Sequence, residues 1–296
     1  MMIVYTACPC CDGEDIQKVL SAKDHTVSNE IFDIWHCNTC TARFTQNIPE
    51  ATEIGKYYQS ENYISHSETK KGLINSLYHL VRKKTLDEKK ELLKKYTKLS
   101  TGKVLDIGAG TGAFLHCMRQ HKWEVTGIEP DATARENAKK FYGVNLLSDE
   151  ELFSGTLQNF DAITLWHVLE HVHDLHKYLG YLKKILKPGG CIFIAVPNYT
   201  SYDAGVYKEF WAAYDVPRHL YHFSPASFEQ LVVKHGLQLK KIKPMWYDSF
   251  YVSMLSEKYK KGKNNFINAA CNGFVSNVKT LFDNEKCSSV IYIITH

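Results

Sequence analysis

The sequence predicts a doubly wound α/β domain preceded by a small cysteine-rich module, and three observations carry that expectation. Short apolar runs alternate with helical stretches from Lys103 onward, a glycine-rich turn leaves the first of those runs, and five of the nine cysteines crowd the first forty residues. Strand alternating with helix means right-handed crossovers and a mostly parallel sheet buried on both faces.

Residues 1–48 hold the paired cysteines and the β-formers Ile31, Phe32, Ile34 and Trp35, with little helical periodicity, so they read as a ribbon of short strands. Residues 49–98 begin as an aromatic, polar connector, KYYQSENYISHSE. They continue as one or two helices in which Leu73, Ile74, Leu77, Leu80 and Val81 recur at three-and-four spacing. The other face of those helices is rich in lysine, from Lys70 and Lys71 through Lys89 and Lys90 to Lys94 and Lys95. Such a run is a solvated face or one drawn to anionic lipid or substrate, which leaves peripheral membrane contact open.

Residues 99–296 form the α/β domain. Strands are expected at 104–107, 124–128, 161–165 and 191–196, and helices at 113–121 and 132–142, with a further helix ending at the Lys187-Pro188-Gly189-Gly190 stop. Ser224-Pro225 is an N-cap and first-turn pair for a helix to about His235, closed by Gly236. The last two strands fall at 237–243 and 289–295, and insertions occupy 198–224 and 245–286, the second of them helical.

A net charge of +4 is too mild for a nucleic-acid partner, which needs a concentrated basic face. No run of eighteen apolar residues is present, and the start MMIVYTACPC lacks the basic and apolar regions of a secretory signal; a cytoplasmic location is expected. Cys117, Cys191, Cys271 and Cys287 are scattered, as core-packing cysteines are.

In Val104-Leu105-Asp106-Ile107-Gly108-Ala109-Gly110-Thr111-Gly112, closely spaced glycines let the chain turn tightly and let a ligand approach the backbone without meeting a Cβ. A carboxylate at Asp106, two residues before the first glycine, would repel a pyrophosphate but suits an ammonium group and hydroxyls. Glu129 in Gly127-Ile128-Glu129-Pro130 puts a second carboxylate at a strand end about twenty residues on, where it can accept from vicinal ribose hydroxyls.

With VTGIEPD, FDAITLWHVLEHV, LKPGGCIFIAVPN and PRHLYHFSPASFEQL following VLDIGAGTGAFL in order, residues of about 100 to 240 resemble the class I S-adenosylmethionine-dependent methyltransferases, the broad group that includes ubiquinone-type O-methyltransferases. The resemblance implies a Rossmann-like seven-stranded, mostly parallel sheet. It also implies that Asp106 and the backbone at Gly108 and Gly110 hold the methionyl portion of S-adenosylmethionine, that Glu129 holds its ribose and that Pro130 packs under the adenine. Asp149 or Glu150 would contact the adenine amino group, since SDEEL permits two registers. Trp166 and His167 would line the pocket, and Asp161, Glu170 and His171 are read as mainly structural. His167 and His171, four apart, lack the inner glutamate of an HExxH metal helix.

Cys8-Pro9-Cys10-Cys11 and Cys37-Asn38-Thr39-Cys40 supply two C-x-x-C pairs, 25 residues apart. Each such turn presents two thiolates to one tetrahedral ion, so Cys8, Cys11, Cys37 and Cys40 form a closed structural zinc set and Cys10 is the spare thiol. A metal would supply much of the folding free energy of so small a segment. A ribbon of this kind ahead of such a domain is also similar to the sugar C-methyltransferases. That likeness implies that Tyr63, Ser65 or Ser67 of the connector reaches the cofactor carboxylate.

On the acceptor side, Tyr214-Asp215-Val216-Pro217-Arg218-His219-Leu220-Tyr221-His222 lies in the long connection that leaves the carboxyl edge of the sheet. His219 is the expected general base or acceptor anchor, with His222 in reserve and Tyr214, Asp215 and Arg218 positioning. Arg218 and His219 tying the loop down is the structural alternative. The expected function is methyl transfer to a small-molecule acceptor. Transfer to a protein or nucleic acid, or cofactor binding without catalysis, are the alternatives. Nothing in the sequence bears on the oligomeric state.

Overall fold

The computed structural model describes residues 2–59, 73–263 and 265–296, and gives the backbone alone for 73–80. Tyr63, Ser65, Ser67, Lys70 and Lys71 lie outside the described residues. The N-terminal segment is a ribbon of short strands: β1 (Met2–Ile3), β2 (Ile16–Lys23), β3 (Ile31–Cys37), β4 (Arg43–Thr45) and β5 (Ile48–Pro49). One continuous helix, α1 (Leu73–Thr97), follows. Its Leu93 is fully buried against Val104, Phe114 and Met118, and its lysine face is divided: Lys83 and Lys84 are exposed, whereas Lys90 is buried and paired with Asp87.

The α/β domain then alternates: β6 (Lys103–Ile107), α2 (Ala113–Gln120), β7 (Glu124–Ile128), α3 (Ala132–Tyr142), β8 (Phe160–Trp166), α4 (Leu175–Ile185) and β9 (Leu186–Pro197). Local chemistry sets these bounds. Asp131 accepts from the Ala134 N–H to start α3, and Gly143 at φ 61° ends it. In α4 the buried Leu175, Leu179, Leu182 and Ile185 make one apolar stripe. After α5 (Tyr202–Tyr207) and the two-residue strand β10 (Tyr221–His222), Ser224 caps α6 (Pro225–Lys234), with Pro225 in its first turn. The chain closes with β11 (Gln238–Pro244), the helical pair α7 (Asp248–Lys261) and α8 (Phe266–Phe282), and β12 (Ser289–Thr295).

The main sheet runs β11-β12-β9-β8-β6-β7, with β6 parallel to β7 and β8, β8 parallel to β9, and β12 antiparallel to both β9 and β11. Six strands pair in ladders, not the seven that the resemblance implies. The place beyond β7 is filled by a single parallel bridge between Ile128 and Leu147, because a capping box between Ser148 and Glu151 turns the chain into a 3-10 helix at once. From β6 the chain adds β7 on one side and then β8 and β9 on the other, so the connections part between β6 and β8, and a crevice opens at their carboxyl ends.

The second sheet, β10-β4-β3-β2, joins the ribbon to the main domain, since β10 comes from the insertion at 198–224. Thr45 N–H donates to the Leu220 carbonyl, the Tyr199 hydroxyl to the Thr41 carbonyl, and the Arg218 guanidinium to Asp24.

Candidate active site

The glycine turn is tied to the end of β7, for Gly108 and Ala109 both donate backbone N–H groups to the Ile128 carbonyl. Gly108 sits at φ 70°, and a Cβ there would stand 2.4 Å from Val168; at Gly110, φ 53°, a Cβ would meet nothing within 4 Å. The first glycine is required by packing and the second borders open space, which is the cradle a ligand needs.

Asp106 is buried and accepts from the Thr164 hydroxyl at 2.6 Å. Burial pushes its carboxyl up to about 7, against the bond from Thr164 and the nearby Lys89 cation. Glu129 accepts the Gly110 N–H at 2.8 Å and the Asp131 N–H at 3.0 Å, one on each oxygen. Each oxygen keeps a second lone pair for a hydroxyl donor, and burial raises this carboxyl too. Pro130 is exposed just beyond, and Asp149 and Glu150 are both exposed in the turn that follows Leu147, so both registers for an adenine contact stay open.

Trp166, at the end of β8, packs edge-on against Phe114, and its buried indole N–H has no partner among the described residues. The Lys89 ammonium of α1 lies 4.2 Å from the centre of its ring. Burial brings that amine down to about 8, against the pull of Asp106 and Asp248. Seven residues earlier on α1, Arg82 donates to the Thr111 hydroxyl of the glycine turn at 3.4 Å. In the sequence these lysines share one face, and the register that turns Lys89 inward depends on how the helix docks.

His167, at φ 58°, holds its ring between two carboxylates, Asp248 at 2.9 Å and Glu170 at 3.2 Å. Burial alone would lower its pKa, but the two carboxylates outweigh burial and raise it to about 10. Asp248, at the start of α7, is a site residue with no motif of its own.

Beside this pair the insertion at 198–224 contributes His219, whose Nδ1 is 2.8 Å from the Ala213 carbonyl. A carbonyl accepts only, so Nδ1 carries a proton and donates it, and Nε2 faces the Asp215 carboxylate at 3.9 Å. The ring meets His171 edge-on at 4.6 Å, and burial followed by the proximity of His219 lowers His171 to about 4, leaving it neutral. The Tyr58 hydroxyl and the Arg218 carbonyl each lie 3.0 Å from His171 Nδ1. One ligand atom from each of Glu170, His171 and His219 falls within 4.8 Å of the others, and one Glu170 oxygen has no hydrogen-bond partner among the described residues. A cluster rich in acceptors and poor in donors suits a hydroxyl proton or a cation.

Of the other acceptor-side residues, Asp215 stays beside His219, 3.9 Å from its Nε2, whereas Arg218, Tyr214 and His222 point elsewhere. Arg218 is buried and donates to Asp215, to Asp24 and to the Tyr57 carbonyl. Tyr214 accepts from Arg43, and His222 is buried with Nε2 3.1 Å from the Thr45 hydroxyl, its pKa driven well below the usual range by burial. These groups stitch the ribbon to the insertion. Asp161 accepts the Lys103 N–H and pairs with Lys187 at 2.8 Å, a structural tie at the opposite end of the strands.

In the ribbon, the sulfurs of Cys8, Cys11, Cys37 and Cys40 lie within 4.8 Å of one another, with Cys8–Cys40 and Cys11–Cys37 at 3.6 Å. Four thiolates at about 2.3 Å from one tetrahedral ion stand about 3.8 Å apart, whereas a disulfide needs about 2.05 Å, so the donor set fits zinc. The Cys10 and Gly13 N–H groups donate to the Cys8 and Cys11 sulfurs, bonds that favour thiolates; Cys10 itself stays outside the set.

A mixed sheet of this order, parallel across β9-β8-β6-β7, with a glycine turn and two carboxylates at its switch point, defines a Rossmann-like domain of the methyltransferase type. Residues 78–242 match the family described as the methyltransferase domain, and the chain belongs to that family. It is similar to the mitochondrial ubiquinone biosynthesis O-methyltransferase of Homo sapiens, 30% identical over 164 residues that make up 50% of this chain and 44% of that protein. The match therefore spans less than half of that relative's length. The ubiquinone biosynthesis O-methyltransferase of Nitrosococcus oceani is 28% identical over 192 residues, 60% of this chain and 79% of that protein. In fold, the chain resembles the magnesium protoporphyrin IX methyltransferase of Synechocystis PCC 6803 with bound SAH, at a TM-score of 0.54 and 11% identity, covering 83% of this chain and 100% of that one. No helix among the described residues is long and apolar enough to cross a membrane.

Proposed function

We propose that this protein is an S-adenosylmethionine-dependent methyltransferase acting on a small molecule in the cytoplasm, with a structural zinc in its N-terminal ribbon. The observation that carries the reading is the pair of carboxylates, Asp106 and Glu129, on either side of the open glycine turn. When bound, the cofactor supplies an electrophilic methyl group on a sulfonium sulfur.

The chain's own residues bind and orient. Asp106 faces the cationic methionyl end, and Glu129 accepts from the ribose hydroxyls. Lys89 and Arg82 offer cations for the cofactor's carboxylate from α1, a duty the resemblance assigned to Tyr63, Ser65 or Ser67. The Trp166 indole N–H and the backbone of the turn complete the pocket, and His167 holds the Asp248 end of α7 against it.

On the acceptor side, His219 Nε2 takes the proton of the incoming hydroxyl, with Glu170 and His171 next to it. A positioned base of this kind contributes about a hundred- to ten-thousand-fold in rate. The names of the ubiquinone relatives support a hydroxyl acceptor, and residues 99–296 make up the catalytic domain, with the ribbon and connector as its accessory parts. Metabolite, lipid and glycan extracts incubated with methyl-labelled S-adenosylmethionine test this directly. A labelled product is expected, and cofactor binding with no labelled product in any extract would overturn the enzymatic reading.

A further inference from the structure

Small side chains join α8 to α7. Ser249 and Ser253 on α7, and Ala269, Gly273, Ser276 and Thr280 on α8, are buried. A Cβ on Gly273 would stand 2.7 Å from the Phe250 ring, so the crossing admits nothing larger. With so small an inner face, α8 keeps its large apolar side chains outside: Ile267 is 77% exposed, Phe274 63%, Leu281 71% and Phe282 88%.

The helical period gathers these residues into one stripe. At about 100° per residue, Ile267, Phe274, Val275, Val278, Leu281 and Phe282 fall within about 140° of the helix surface. The two other positions in that sector are Ala270 and Cys271, so the stripe carries neither a charge nor a side-chain amide along the helix, a length of about 25 Å. Asn268, Asn272, Asn277 and Lys279 flank it. A surface helix ordinarily turns such a stripe to the core, whereas α8 turns it to solvent. An exposed apolar face of this extent marks an interaction site.

Charge identifies what the stripe meets. Six exposed lysines border it, with Lys258, Lys260, Lys261 and Lys263 before the helix, Lys279 within it and Lys286 after it. Only three carboxylates stand among them, Glu257, Asp283 and Glu285, and Glu257 is buried and already paired with Lys261 at 2.9 Å. Most of the net charge of +4 on the whole chain therefore gathers around this one face. At the far end Lys279 and Lys286 balance Asp283 and Glu285, so a second copy of the chain has no anionic end to set against the lysines. The complement is a surface that is apolar beneath and anionic at its rim. We propose that α8 lies flat on an anionic lipid bilayer, its stripe in the acyl boundary and its lysines at the headgroup phosphates. A helix with this division of apolar and cationic side chains sinks about 5–10 Å into that boundary, and apolar burial and headgroup attraction add. Lysine stems are apolar up to the ammonium and reach outward from the level of the stripe. On α1, by contrast, Leu86, Leu92, Leu93 and Tyr96 pack on the core, so its lysines have charge without a stripe beside them among the described residues.

Vesicle co-sedimentation of the full chain, without cofactor or substrate, tests the docking independently of the methyltransferase reading. Binding is expected to phosphatidylcholine vesicles containing about a third phosphatidylglycerol, and it should weaken at least about tenfold on phosphatidylcholine alone or in high salt. Phe274→Glu, at the middle of the stripe, should lower the affinity at least about tenfold, since it puts a charge where apolar area is buried. Lys260→Gln combined with Lys263→Gln should lower it about tenfold on the anionic vesicles, through the headgroups alone. Phe274→Trp should be quenched by brominated lipid beyond the quenching of the wild-type tryptophans, which places this position in the acyl boundary. Failure to bind anionic vesicles, binding that Phe274→Glu leaves unchanged, or self-association of the chain that Phe274→Glu dissociates would each overturn the inference. Far-UV circular dichroism of the variants separates loss of docking from loss of fold.

Discussion

The Arg218 guanidinium lies 2.9 Å from the Asp24 carboxylate, and neither side chain is exposed. The two residues stand 194 positions apart, one in the insertion that approaches the cleft and the other at the end of the first long ribbon strand. Arg218 also pairs with Asp215 at 2.6 Å and donates to the Tyr57 carbonyl, so one fork holds three segments together. Removing one partner of a buried ion pair leaves an uncompensated charge, at a cost of about 3–5 kcal/mol. Arg218→Ala should therefore lower the unfolding free energy obtained from urea titration by that amount. Arg218→Lys should recover little of it, because an ammonium cannot reproduce the planar fork. A near-neutral Arg218→Ala would show that β10 and the Tyr199–Thr41 and Arg43–Tyr214 bonds hold the ribbon without it.

The same pair sets an acid limb of stability. Burial alone would raise the Asp24 carboxyl, but Arg218 and the N–H groups of Ser28 and Thr26 outweigh it and hold the pKa at about 2, below the unfolded value. A depressed carboxylate contributes stability that is present above the unfolded pKa and lost as pH falls through the folded one. Between about pH 4 and pH 2 the protein should lose on the order of 2 kcal/mol from this group alone. Denaturation midpoints measured across that range should show a shallower decline in Asp24→Asn, which starts lower.

A proton should leave when the cofactor binds. Asp106 is pushed up to about 7 by burial, and a cationic ligand beside it favours the ionised carboxylate. Affinity should fall below pH 7, by up to about tenfold per unit for one linked proton, and fall again above about pH 8 as Lys89 loses the charge it offers the cofactor carboxylate. Calorimetry in buffers of different ionisation enthalpy reads the proton directly. Asp106→Asn should bind more weakly and lose the fall in affinity below pH 7, and an Asp106→Asn that keeps that fall would move the linked proton to another group.

Several features of the fold and the candidate site were legible because their signals are local. The glycine turn, the Asp131 cap and the Ser224-Pro225 start each write a short rule into neighbouring residues, and strand 124–128 and helix 132–142 stand at the expected bounds. The missing ladder beyond β7 was not legible, since whether 144–147 forms a strand or one bridge depends on the capping box that follows. Long-range partnerships were equally hidden. Nothing near Lys89 announces Trp166, nothing near Asp248 announces His167, and a two-residue strand such as β10 has no period to read. Arg218 admitted either reading until Asp24 came into view from the other end of the chain.

Zinc should be found at one ion per chain in protein purified without added metal, by elemental analysis. The four sulfurs stand at tetrahedral spacing, and the ribbon's own core is too small to fold them together unaided. Chelation, or Cys37→Ser, should unfold the ribbon, with Trp35 of β3 as the fluorescent reporter. Because β4 carries β10, the loss should also lower the melting temperature of the main domain. A metal-free chain with intact Trp35 signal and unchanged melting would remove zinc from the proposal.

His219 should lower turnover when replaced, and the choice of replacement separates a base from a structural tie. Its Nδ1–H is committed to the Ala213 carbonyl at 2.8 Å, and its Nε2 makes no hydrogen bond among the described residues, with the Asp215 carboxylate 3.9 Å away. Asparagine can keep the bond through its amide N–H while offering no base at the Nε2 position. If His219 only ties the loop, His219→Asn should be close to wild type in stability and rate, and His219→Ala should be destabilised. If it is the base, both variants should lose about a hundred- to ten-thousand-fold in kcat with cofactor affinity nearly unchanged. His222→Ala is the control: that ring is buried against Thr45 and Tyr214, so its loss should appear as lowered stability before it appears as a slower rate. Turnover of His219→Asn within about twofold of wild type would place the base elsewhere in the Glu170–His171 cluster.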